Sequence, residues 1–156
     1  MREAIGGTWL FGLVLTFIVF FASFLAVSIN YSKAFNVKNN IVDLIGKYEG
    51  NNCNSRKKIG EYLRDVGYLV IGDCGNDYTP YDLEGNPIFG SKKGYYCLKS
   101  EDIDNTLVNK RYYRIMVFFK LDLPMVGDLT TFRIKGETES IYFPTSIEEE
   151  NKVCIR

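Results

Sequence analysis

Residues 4–29 read AIGGTWLFGLVLTFIVFFASFLAVSI and run, with no Pro or Gly at the junction, into NYSKAFNVKNNIVDLIGKYEG at residues 30–50. The first stretch carries no charge. As a helix rising about 1.5 Å per residue, Ala4–Ile29 is longer than the roughly 30 Å hydrocarbon core of a bilayer, so it can span one with some tilt. Beyond it, Tyr31, Ala34, Phe35, Lys38, Ile41, Val42, Ile45 and Tyr48 recur at helical spacing. Ser32, Lys33, Asn36, Asn39, Asp43 and Lys47 fall on the opposite face. This is the pattern of an amphipathic helix with one side in a core. The expectation is one helix that leaves the membrane and continues as the spine of a small domain, ending at Gly50. Residues 1–30 then form a transmembrane helix, 31–50 its amphipathic continuation and 51–156 an extracytoplasmic α+β domain.

Ala26-Val27-Ser28 has the small-residue character of a signal-peptide cleavage site. Against cleavage, the apolar run exceeds the roughly 7 to 15 residues usual in such signals, and Arg2 is the whole basic leader. An uncleaved, single-pass anchor is expected. Lys33 and Lys38 offset Arg2 and the amino terminus in a positive-inside count, so loop charge does not orient the helix.

The cysteines bear on orientation. Cys53, Cys74, Cys97 and Cys154 all follow the apolar segment, and none belongs to a CxxC pair. Two disulfides in an oxidising compartment are expected, which puts the N-terminus in the cytoplasm and the domain outside. A zinc site would require closer ligand pairs, and four free thiols are the remaining alternative. A helix after Cys53 followed by a returning strand favours Cys53 with Cys74 and Cys97 with Cys154. The other two pairings stay open, Cys74 with Cys97 across a hairpin being the nearer rival.

Positive and negative side chains balance, 19 against 19, leaving no electrostatic footprint for nucleic acid. Aromatic residues make up 15% of the chain, with 11 Tyr and 11 Phe, as in β-rich extracellular modules. Along the outer part, Ser55 can cap a helix over 56–66, with Ile59, Tyr62, Leu63 and Val66 on one face and Gly67 as its stop. A strand is expected over 68–71, a turn-rich loop with at most a short hairpin over 75–94, and a short strand over 95–98. The strongest β signal is the aromatic and β-branched run 112–123, continued by 130–134 and 139–143 after Pro124-Met125-Val126-Gly127-Asp128. These three strands should form an antiparallel sheet against the spine helix. Glu148-Glu149-Glu150 reads as solvated surface, with Cys154 tying down the C-terminus.

Histidine is absent, which removes Ser-His-Asp and Cys-His catalysis and the commonest metal ligand together. The carboxylates are scattered, with no pair spaced to share a cleft. Gly85–Lys92 reads G-x-x-x-x-G-S-K, a phosphate loop with its last two positions exchanged. Without lysine directly after the second glycine it is a turn-rich loop. Leu123-Pro124-Met125-Val126-Gly127 has Val where a cell-wall sorting signal requires Thr, and is read as a crossover between strands. Asn30-Tyr31-Ser32 matches a glycosylation sequon by chance, on a helix at the membrane edge. No catalytic residue, cofactor or metal is expected.

Glu3 is the one polar residue singled out at the head of the apolar run. Alone, it reads as an acid in the headgroup region or one favoured by the helix N-terminus. A glutamate heading a long apolar helix, an amphipathic continuation and a small disulfide-bearing β domain together resemble a type IV pilin or pseudopilin. Within that superfamily the chain is most similar to TadE-like pseudopilins of tight-adherence pilus systems. The resemblance rests on a long strand, here Tyr112–Phe119, running through Asp122-Leu123-Pro124 into Thr130–Ile134. It implies a pilin-like α+β fold and a non-enzymatic role in a cell-envelope filament or secretion apparatus. It also implies that the apolar helix packs among other pilin-like or envelope-assembly proteins, with Glu3 pairing to a neighbouring amino terminus. Gly6, Gly7 and Gly12 would permit close helix approach. A membrane-tethered binding module, contacting a surface partner through the 75–94 loop and exposed tyrosines, is the alternative.

Overall fold

The computed structural model describes residues 2–103, 110–123, 127–142, 146–150 and 152–154. Helix α1, Arg2–Lys47, is unbroken and about 69 Å long at the standard rise. Of the expected core stripe, Ala34, Ile41 and Ile45 are buried and Val37 joins them, whereas Tyr31 and Phe35 stay exposed. The helix stops three residues before the expected Gly50. The Gly50 amide bonds the Ile45 carbonyl at 2.9 Å and the Glu49 amide bonds Gly46 at 3.2 Å, with Glu49 itself left-handed at φ 55°. This double bond pattern satisfies the last orphan carbonyls of the helix.

Helix α2, Cys53–Asp65, begins three residues earlier than the sequence suggests. Its N-cap is Asn52, whose side chain accepts from the Ser55 amide at 3.0 Å, so Ser55 sits inside the first turn. Gly67, at φ 60°, turns the chain out of the helix as expected. The strand expected over 68–71 is absent. Those residues cross the sheet edge without a ladder partner, and the first pairing is between β1, Gly72–Asp73, and β3, Lys93–Gly94, which flank β2, Thr79–Tyr81.

The main sheet contains β2, β4 (Tyr96–Ile103), β5 (Lys110–Leu123) and β6 (Gly127–Glu137) in that order. A further short strand, β7 (Ile141–Tyr142), pairs with the start of β5 and not with β6. The bend at Thr138 makes this possible, because its amide bonds Tyr113 O at 3.0 Å and its hydroxyl accepts from Tyr113 N at 2.9 Å. All ladders are antiparallel, and β4–β5–β6 are longer than the sequence runs suggest. The expected bend at Pro124-Met125-Val126 lies outside the described residues. A last helix, α3, covers Ile147–Glu150.

The α1-facing side of β5 places Tyr113, Ile115 and Val117 against Val37, Ile41 and Ile45, with Ile59 and Leu63 of α2 completing the core. The other side places Met116 and Phe118 in a smaller cluster with Cys74 and Cys97. Gly72 is required there, since a Cβ would stand 2.2 Å from the Phe118 ring. On the α1 side, Tyr31 meets Phe119 and Gly136 lies under the Lys38 side chain, so β5 runs toward the apolar end of α1 and β6 away from it.

Both disulfides form, but not in the favoured pairing. Cys53 is bonded to Cys154 and Cys74 to Cys97, with Cα separations of 5.5 and 5.7 Å. The returning strand that would have carried Cys74 back to Cys53 does not exist. The chain instead passes the edge of β5 to the opposite face of the sheet, where Cys97 of β4 lies.

Candidate membrane-anchoring and assembly site

The first half of α1 is built for an apolar surrounding. From Trp9 to Ile29 nearly all of its large side chains are exposed, Trp9 at 73% and Ile29 at 68%, and no described residue buries any of them. Two of the hydroxyls in this stretch are turned inward on the backbone. Thr16 Oγ1 donates to Gly12 O and Ser23 Oγ to Val19 O, both at 2.9 Å. Such bonding removes the cost of a free hydroxyl in hydrocarbon. A Cβ on Gly7 or Gly12 would meet nothing within 4 Å, so the chain itself makes no use of either small residue for packing. Glu3 falls in the first turn of α1, where the helix dipole favours an acid; its side chain lies outside the described residues.

The outer domain carries a buried polar network that the sequence reading missed. Glu150, the last of the three glutamates expected on the surface, is only 5% exposed. Its Oε1 accepts from Arg111 Nη1 at 2.9 Å and from the Tyr113 hydroxyl at 2.6 Å. Arg111 also donates through Nε to Asp102 at 2.5 Å. Arg56, fully buried in α2, donates to the carbonyls of Glu150 and Lys152 at 3.0 and 2.8 Å. With Cys53–Cys154 beside it, this network clamps the C-terminal segment onto the domain. A run of glutamates carries no sequence signal for which carboxylate will meet an arginine far away in the chain.

The electrostatics of the network are those of a fixed structural cluster. Burial, and after it the bond to Glu150, holds the Tyr113 phenol above its ordinary value. Arg111 is held still more firmly protonated, first by Asp102. Burial likewise raises Tyr68, Tyr81 and Tyr96. Among the described residues no three His, Cys, Asp or Glu side chains are grouped to hold a metal. The 85–92 loop is a packed turn: Asp82 Oδ1 accepts from the amides of Glu84 and Asn86, and Gly85 lies against the Arg56 backbone. Phe89 projects from the same loop at 68% exposure.

No protein-family model, curated protein or solved structure matches the chain. By fold it is an α+β protein in which a helix long and apolar enough to cross a bilayer leads directly into a small, doubly disulfide-bonded antiparallel domain.

Proposed function

We propose that the chain is a non-enzymatic, single-pass membrane component of a cell-envelope filament or secretion apparatus, built on the pattern of a TadE-like pseudopilin. The observation that carries this reading is the division of α1. Its C-terminal part is the spine of the sheet, while its N-terminal part presents an uncovered apolar surface on every side. A helix of this length exceeds what anchoring requires and suits packing among like helices. The disulfides favour an oxidising compartment for the domain and hence a cytoplasmic N-terminus. Glu3 at the helix head is the assembly residue, because an acid at the bilayer edge is costly unless paired.

Co-purification of envelope proteins with wild type and Glu3→Gln tests the reading. Recovery of partners should fall several-fold with the outer domain still disulfide-bonded. Unchanged recovery would remove the assembly role of Glu3, and a carboxylate substitution in the outer domain that abolished a measurable reaction would overturn the non-enzymatic reading. The second reading, a tethered binding module, draws on the exposed Phe89. Loss of surface binding in Phe89→Ala, with Glu3→Gln silent, would favour it.

A further inference from the structure

Where the spine helix enters the domain, four aromatic rings form one continuous patch. Tyr31 packs edge-on to Phe119 with centroids 5.7 Å apart, Phe119 stacks on Phe132 at 5.1 Å, and Phe35 lies 6.3 Å from Tyr31. Tyr31, Phe35 and Phe132 remain 49%, 40% and 42% exposed, although with Phe119 the four rings join three separate elements. Lys38 Nζ sits 4.2 Å over the Phe35 ring, so a cation stands at the rim of the patch.

Its height along α1 selects the occupant. Tyr31 lies two residues past the last apolar position, Ile29, or about 3 Å along the axis, and Phe35 about 9 Å. The headgroup layer on one side of a bilayer is roughly 5 to 8 Å thick. The apolar run is also longer than the hydrocarbon core, so α1 must tilt, and a tilt lowers one flank of a domain that is joined to it without a linker. β5 and β6 run on past the Phe119–Phe132 pair as far as Leu123 and Gly127, so this flank reaches furthest toward the bilayer. Aromatic rings with a lysine at their rim are side chains that settle in the headgroup layer.

We infer that the Tyr31–Phe35–Phe119–Phe132 patch is an interfacial aromatic belt that rests on the lipid headgroups and sets the direction in which α1 tilts. The inference rests on the membrane-anchoring part of the proposed function and is independent of filament assembly. The belt would hold the outer domain against the membrane surface in one orientation, with Phe89 beside β2 at the opposite edge of the sheet.

Depth-resolved fluorescence quenching of the full chain in phosphatidylcholine nanodiscs tests it. Trp9 is the single tryptophan, so the wild type reads the anchor alone. In a Trp9→Phe background, Phe132→Trp and separately Phe35→Trp report the belt, and Phe89→Trp reports the opposite edge of the sheet. Phe132→Trp and Phe35→Trp should be quenched several-fold more by a headgroup-level spin label than Phe89→Trp, with blue-shifted emission. Acrylamide quenching of both belt reporters equal to that of Phe89→Trp would overturn the belt. Shielding of both from lipid and aqueous quenchers alike would overturn it too, in favour of a second copy covering the patch. If wild-type Trp9 escapes acyl-chain labels at every depth, shallow and deep, the anchoring reading itself has failed; if Trp9 is quenched and the belt reporters are not, the belt alone has failed.

Discussion

Tyr68 and Tyr96 bury their hydroxyls to a similar degree but use them differently. The Tyr68 hydroxyl donates to Phe118 O at 2.5 Å and accepts from Phe118 N at 2.7 Å. It thereby completes the β5 edge just where β4 has ended, at the Cys97–Met116 pair. The Tyr96 hydroxyl has no hydrogen-bond partner among the described residues. Tyr68→Phe should cost about 1 to 3 kcal/mol, because two buried backbone groups lose their partner, whereas Tyr96→Phe should be neutral or mildly stabilising. Unfolding of the two variants in detergent, compared with wild type, checks the contrast; equal losses would remove the edge-capping role. A pH dependence follows from the same burial. Tyr68, Tyr81, Tyr96 and Tyr113 all have phenols raised above the ordinary value of about 10. Above that pH the unfolded chain loses protons that the folded chain keeps, so the contribution of these four phenols to stability is flat below pH ~10 and falls beyond it. The share of the tyrosinate absorbance that belongs to these four of the 11 tyrosines should therefore appear together with loss of structure, and its appearance while the fold is intact would contradict the burial argument.

At the scale of elements, α2 and the C-terminal segment hold each other. Arg56 bonds two carbonyls of that segment, and Cys53 at the head of the same helix bonds Cys154. The loop this bridge closes spans 101 residues of separation, against 23 for Cys74–Cys97. In the chain-entropy account those lengths correspond to about 4.7 and about 3.5 kcal/mol. Non-reducing peptide maps should show these two pairs and no other. Replacing both Cys53 and Cys154 with Ser should make the segment after Ser146 sensitive to limited proteolysis while the sheet is retained. A map linking Cys53 to Cys74 would refute the crossing of the chain from one sheet face to the other.

For the whole molecule, the division of α1 into an uncovered apolar half and a buried amphipathic half sets the expected topology. A cysteine introduced at the exposed Asn76 should react with an impermeant maleimide on intact cells, and the intact mass should retain the residues ahead of Ala26. Labelling only after lysis would invert the proposed orientation, and a mass starting near Ile29 would replace the anchor with a cleaved signal.

The long helix, the α2 segment and the central β run were legible in the sequence because each is specified locally, by apolar length, by a 3.6-residue period and by a dense aromatic and β-branched stretch. The cysteine partners, the absent 68–71 strand and the burial of Glu150 were not. Each depends on which face of the sheet a connector reaches: Leu69 and Ile71 look strand-like yet meet no free edge, since Tyr68 occupies it with a hydroxyl. Only the folded arrangement brings Cys74 to Cys97, Cys53 to Cys154 and Glu150 to Arg111, because those encounters depend on nonlocal packing that no short-range pattern of residues encodes.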